Sequence, residues 1–415
     1  MAQKRILIPG GKCSDWALVN AAHRLGLYVI TSGYNADAPA HQFADKYVPA
    51  DYSDKEAMLK LAMDEKIDYM CSCANDFGMM STAYVCEKLG LPGHDSYETT
   101  WTLHHKDTIK PIMQRLGLHT PYSHIFADRD EAVSFIRNAD RKMIVKPADN
   151  VASKGVSTPD SVADAGQVVD RAFQFSKNHK IVVEPFVEGF FTTVTSMIID
   201  QEVAAFFTDS SYPYPQGEIL GDRFPANLLN NGGSEPGLFF NDYAPSIIED
   251  FNKLAKELHL VDGKLHCELL IEPDHSAQIF DLHRRFSGFD TPWAEWNETT
   301  GLDWAEWVVR AECGMDLSDF PRGIKQNRFF HYRKVYAPKN GIIKRVIFDE
   351  YLTKHLYPKY EGKNYIVYDA FVWDHRHQPV ADLKFQFDSR AEMESLSDIT
   401  VDNFYPHITF EYESF

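Results

Sequence analysis

Short apolar strands alternate with helical segments from the start of the chain: Arg5–Ile8, a helix near Asp15–Leu25, Tyr28–Thr31, a helix near Lys55–Glu65, Asp68–Cys71, then Met79–Leu89. Parallel strands need long crossovers, usually helices, so this order predicts a small parallel, Rossmann-like α/β sheet. At 415 residues the chain exceeds one ordinary core, and two to four domains are expected. Gly10-Gly11 after the first strand invites a dinucleotide reading. However, no full GxGxxG is present, and the second strand ends in Thr31-Ser32-Gly33, where an acidic residue is needed to grip a ribose. A tight structural turn is the favoured reading.

A second system begins near Thr99: helix Asp107–Leu116, strand Ser123–Phe126, helix Asp130–Arg137 and strand Met143–Lys146. After a glycine-containing loop come helix Val162–Ser176, strand Ile181–Pro185, and long antiparallel strands at Thr192–Ile199 and Glu202–Thr208. This region mixes α and β as an α+β unit. Ser211 to Leu238 reads as a long functional loop, with Pro213, Pro215, Pro225 and Pro236 among many Gly and Asn. Helix Ser246–Leu258 and strands Leu265–Ile271 and Ala277–Leu282 complete the core. The Tyr-, Phe- and Val-rich stretch after Phe320 predicts a smaller, mainly β domain, with turns at Pro338–Gly341 and His375–Gln378.

A net charge of −18 opposes binding to nucleic acid or an anionic membrane surface. No apolar run approaches the ~18 residues of a membrane span. The amino terminus, with Ile6–Ile8 followed by Pro9, reads as a strand rather than a signal peptide. Six cysteines without CxxC pairing favour neither a zinc site nor a disulfide scaffold, so a reduced, cytoplasmic setting is expected.

The chemistry concentrates in two strands joined by a Pro-Asp-His-Ser turn. Glu268 lies on the first; Asp281, followed by His283, Arg284 and Arg285, lies on the second. Side chains alternate along strands, so a hairpin sets both carboxylates on one face, with His283 and Arg285 on the face of Asp281. Half-buried carboxylates repel each other without a cation, and paired hard oxygen donors suit Mg²⁺ carrying nucleotide phosphates.

Over about its first 320 residues the chain resembles the ATP-grasp superfamily, in its purine-pathway and carboxylate–amine ligase branch. The family's last metal strand reads Glu-x-Asn-x-Arg; here it reads Asp281-x-His283-x-Arg285. An imidazole in place of an amide oxygen hydrogen-bonds or shifts preference from Mg²⁺ towards Mn²⁺. The resemblance implies Glu268, Asp281 and His283 as the metal set, and Arg285 with Arg284 as catalytic arginines. Lys106 and Lys146 match the nucleotide-phosphate lysines, and the loop with Ser153, Lys154 and Gly155 matches the phosphate-covering loop. In Val183–Gly189, which matches the hinge holding adenine, it implies Glu184, Phe186, Val187 and Glu188. Phe190-Phe191-Thr192 stands where the family places a ribose carboxylate, so Glu188 is the substitute. Asp37–Asp45 resembles the leading domain of the same branch.

The implied architecture is an N-terminal α/β domain (1–98), an ATP-grasp A lobe (99–188), a B lobe (189–320) and a C-terminal β-rich domain (321–415). The implied chemistry is an ADP-forming ligation in which a small carboxylate, activated by ATP as an acyl phosphate, is joined to an amine. Carboxylation through carboxyphosphate and non-catalytic ATP binding are the alternatives. Amino-acid-like substrates are expected, with Arg284, Ser287, Gly288, Tyr212, Tyr214, Glu218 and Arg223 as candidate contacts. A homodimer is the default assembly.

Overall fold

In the computed structural model the described residues are 3–150, 154–213, 230–286, 293–323, 328–356, 365–372, 379–395 and 404–413. Strands β1 (Arg5–Pro9), β2 (Tyr28–Ser32), β3 (Lys46–Tyr47) and β4 (Tyr69–Met70) form a parallel sheet in the order β3-β2-β1-β4. Ile6, Leu7 and Ile8 are wholly buried, as expected of a strand covered on both faces. The crossovers include α1 (Cys13–Arg24), α2 (Lys55–Glu65) and α3 (Asp76–Leu89). Asn75 caps α3 by accepting from the Phe77 and Gly78 N–H groups, which fixes Asp76 as the first helical residue.

Helices α4 (Tyr97–His104) and α5 (Lys106–Arg115) follow, separated only by His105, whose extended backbone breaks the helical path. Strands β5 (His124–Phe126), β6 (Met143–Pro147) and β7 (Ile181–Pro185) make an antiparallel sheet with β7 central. It is backed by α6 (Arg129–Arg137) and α7 (Ala165–Phe175), whose Val133, Ile136, Val168 and Val169 pack on Val145, Ile181 and Val183.

The largest sheet is built from β8 (Phe190–Ile199), β9 (Glu202–Pro213), β10 (Asn230–Glu235), β11 (Gly263–Ile271), β12 (Ala277–His283), β13 (Phe329–Tyr336) and β16 (Pro379–Phe387). Its order is β12-β11-β8-β9-β10-β13-β16. Helix α8 (Phe240–Glu257) and α5 cover one face with Ile247, Phe251, Leu254, Ile109 and Met113. Helices α9 (Trp293–Thr300) and α10 (Trp304–Glu312) pack with α1 against Met197, Ile199 and Phe207. Strands β14 (Gly341–Phe348), β15 (Tyr365–Val372) and β17 (Ile408–Tyr412) form a separate antiparallel sheet.

Two features differ from the expected pattern. The 211–238 stretch is not all loop: β9 runs on to Pro213, and Asn230–Glu235 forms a strand held by β9 on one side and β13 on the other. Gly232-Gly233 has little strand propensity, so neighbours on both edges, not local preference, make it a strand. The expected boundary at 320/321 falls within this continuous sheet, because β13 and β16 extend it while β14, β15 and β17 do not. The expected His375–Gln378 turn lies outside the described residues. No described helix is long and apolar enough to cross a membrane.

Candidate active site

The acid pair is set by the β11–β12 register, in which Glu268 and Asp281 are direct cross-strand partners, as are His266 and His283. Simple alternation would defeat this arrangement. Ala277, Ile279 and Leu282 all belong to the core under α8, a step of two residues followed by a step of three. A bulge between Ile279 and Asp281 absorbs the extra residue and turns Phe280 and Asp281 away from that core. Without the bulge Asp281 would share the apolar face of Ala277 and Ile279.

Opposite the hairpin stands the α4–α5 junction. Lys106 opens α5, its N–H donating to the Ala148 carbonyl (2.8 Å), and its buried Nζ donates to Asp281 Oδ2 (2.9 Å). Burial would raise the Asp281 carboxyl, but Lys106 and His283 outweigh it and hold it well below the usual carboxylate range. Glu268 shows the reverse: burial, then the charge of Asp281, pushes its carboxyl up. One acid is neutralised by lysine and the other is left wanting a cation. Lys110, one turn beyond Lys106, was not anticipated, although the i, i+4 spacing signals it. Its Nζ sits 3.0 Å from Glu184 Oε1 and donates to Thr120 Oγ1 and the Ile279 carbonyl.

Glu184, expected at the adenine amine, is held by two lysines in this structure. Its fully buried carboxylate takes Lys146 Nζ (2.5 Å), Lys110 and the Ser123 hydroxyl. Burial works to raise this carboxyl, yet the two lysines hold it down at about 2. Lys146 also lies 5.5 Å above the centre of the bulged Phe280 ring. Phe186, expected to offer its backbone to adenine, already donates its N–H to the Lys142 carbonyl (2.8 Å). Val187 and the exposed Glu188 lie in the extended segment between β7 and β8. At Gly189 a Cβ would stand 2.3 Å from the Ile271 carbonyl oxygen, so the connection between the two sheets requires glycine there.

In the covering loop, Lys154 is exposed and Gly155 has φ +79°, packed where a Cβ would meet Phe175 and Pro147. Ser153, together with Tyr214, Glu218, Arg223, Ser287 and Gly288, lies outside the described residues, and nothing of the Tyr212 side chain is described. Gly10 and Gly11 behave as the structural turn that was favoured. The Gly11 and Lys12 N–H groups donate to the Asp15 carboxylate (2.8 and 2.9 Å), occupying donors that a bound phosphate would need.

Arg285 reaches across to the N-terminal unit, its Nε and Nη2 gripping Asp76 Oδ1 and Oδ2 (2.7 and 3.0 Å). His283 lies between the two acids, Nδ1 3.2 Å from Asp76 Oδ1 and Nε2 3.6 Å from Asp281 Oδ2. His104, last residue of α4, brings Nδ1 to 3.8 Å from Asp76. Burial lowers the His104 imidazole to about 3. Asp76 and His104 carried no sequence signal, since 209 residues separate Asp76 from Arg285. Arg284, expected as a catalytic arginine, has its guanidinium on Asp95 (2.6 Å) and on the Lys264 and Val261 carbonyls (2.6 and 2.8 Å).

Residues 104–214 match the family model described as the phosphoribosylglycinamide synthetase ATP-grasp (A) domain. A phosphoribosylglycinamide synthetase structure from Anaerococcus prevotii superimposes with a TM-score of 0.70 at 18% identity, covering 99% of this chain and 100% of that one. The chain has the ATP-grasp fold. An L-amino acid ligase structure from Bacillus licheniformis gives a TM-score of 0.71 at 17% identity, with both chains covered completely (100%). In sequence, a formate-dependent phosphoribosylglycinamide formyltransferase from Maridesulfovibrio salexigens is 28% identical over 196 residues, 45% of this chain and 48% of that one. The chain spans about half the length of curated relatives of that description.

ATP-grasp enzymes pair ATP with a divalent metal ion, and the residues here fit one. Glu268 and Asp281 are hard oxygen donors directly opposite each other, and burial together with the Asp281 charge pushes the Glu268 carboxyl up, a cost that a divalent cation relieves.

Proposed function

We propose that this protein is an ADP-forming carboxylate–amine ligase, activating a small carboxylate as its acyl phosphate and joining it to an amine. The observation that carries the reading is Lys106 Nζ at 2.9 Å from Asp281, whose cross-strand partner is Glu268. It sets a phosphate-binding cation against a metal-binding acid pair between two sheets joined at Gly189. Glu268 and Asp281 hold the metal, Mg²⁺ in this reading, which supplies charge neutralisation at the transferring phosphoryl group. Lys106 and Lys146 orient the phosphates, with Lys146 held by Glu184 until nucleotide arrives. Phe186, Val187 and Glu188 line the adenine side, and Ser153, Lys154 and Gly155 close over the phosphates. Arg285 stabilises the developing charge, its fork pre-aimed by Asp76.

The substrates are small and amino-acid-like, a reading supported by the Asp15 carboxylate in the glycine turn, which repels a phosphorylated acceptor from that turn. We place the protein in the cytoplasm, consistent with six free cysteines, and take a homodimer as the default assembly, checked by light scattering. Phosphate release over pairs of amino acids and small carboxylates tests the whole reading. ADP and phosphate should appear only with both substrates, and Asp281→Asn should lower turnover by about 10²–10³. Bicarbonate-driven turnover without an amine would replace it with the carboxyphosphate reading, and ATP binding without turnover on any pair would make the protein a non-catalytic binder.

A further inference from the structure

Asp76, His104 and His283 arrive from three elements, α3, α4 and β12, and all three are buried. One ligand atom from each lies within 4.8 Å of the others. His283 Nδ1 is 3.2 Å and His104 Nδ1 3.8 Å from the same oxygen, Asp76 Oδ1. Both Nδ1 atoms are shut off from solvent and neither has a hydrogen-bond partner. Two imidazole nitrogens facing one carboxylate oxygen, without completed hydrogen bonds, are out of keeping with a packing role, because buried polar atoms are normally satisfied. Arg285 fixes the Asp76 plane through two bonds, one to Oδ1 and one to Oδ2, as outer partners commonly orient a ligating carboxylate.

We propose that Asp76, His104 and His283 form a transition-metal site beside, and separate from, the Glu268–Asp281 clamp. Two imidazoles and one carboxylate with an open position suit Zn²⁺, Co²⁺, Mn²⁺ or Fe²⁺ and discriminate against Mg²⁺, which prefers an all-oxygen octahedron. His283 then divides its nitrogens: Nδ1 binds this ion, and Nε2–H points to Asp281. The substitution of imidazole for the amide of the resembling motif thus belongs to a second site rather than to a weakened first one. Because α3 and α4 lie outside the hairpin, the ion would clamp the N-terminal unit onto β12.

The test uses Co²⁺ as probe on the full chain, without nucleotide, and is therefore separate from the ligase reading. Wild type should take up one Co²⁺ per chain with visible d–d absorption, unaffected by millimolar Mg²⁺ and retained in Glu268→Gln. His104→Asn should bind at least about tenfold more weakly. Absence of saturable binding, equal binding by His104→Asn, or loss in Glu268→Gln alone overturns the site. Should His104→Asn not fold, X-ray absorption of the wild-type Zn²⁺ protein decides. Two coordinated imidazoles are expected, and one or none refutes the assignment.

Discussion

Glu184 holds two lysines, Lys110 and Lys146, against a carboxylate with no solvent exposure. Removing one partner of a buried ionic set costs far more than the set contributes, since the remaining charges lose both water and counterion. Glu184→Gln should therefore lower unfolding free energy at neutral pH by about 3–5 kcal/mol in urea titrations. The sign of the pH effect follows from a folded value near 2, depressed from 4.5. Its contribution is complete above about 4.5 and is lost as pH falls through about 2. The stability difference between wild type and Glu184→Gln should thus shrink over that interval; a gap independent of acid would remove the ionic explanation. Among single residues, Lys110 was legible in its spacing from Lys106. The fate of Arg284 and Arg285 was not, because adjacent arginines look alike in sequence while Asp95 and Asp76, which separate their roles, come from distant segments.

At the scale of elements, the β12 bulge decides which side of the sheet Asp281 faces. Deleting Phe280 removes the one extra residue, so regular alternation should keep Asp281 opposite Glu268 and away from the apolar face under α8. Metal-dependent phosphate release should therefore fall by less than about 10²-fold. A larger fall would mean that the bend of the bulge, not alternation alone, places the acid. The hinge makes a second demand at this scale. Gly189→Ala puts a Cβ against the Ile271 carbonyl and should destabilise by about 1–3 kcal/mol, read by denaturant unfolding. The hairpin itself was readable from two apolar strands around a turn, whereas the bulge was not, because one extra residue leaves no compositional mark.

Across the whole molecule, three distant segments meet where Lys264 of β11 pairs with Glu312 of α10 and donates to the Ser72 hydroxyl (2.8 Å) just after β4. The Ser72 N–H also donates to Glu312 Oε2 (2.6 Å). Glu312→Ala strands a buried ammonium and should cost about 3–5 kcal/mol. Glu306→Ala, which removes a surface partner 3.5 Å from Arg24, should stay within about 1 kcal/mol. Comparable losses in parallel chemical denaturation would deny the network its joining role.

What the sequence by itself determined were the features written locally. The alternation of strand and helix specified the parallel N-terminal sheet. The order of Lys106, Lys146, the 183–189 segment, Glu268 and Asp281 specified an ATP-grasp arrangement. Only the tertiary structure decided the rest. It turned Asp281 outward through a bulge, set Glu184 between two lysines, and drew strands after residue 320 into the central sheet. It also brought Asp76 and His104 to the side of His283. Those outcomes depend on which surfaces meet across long stretches of chain, and the periodicities that betray helices and strands reach only to their neighbours.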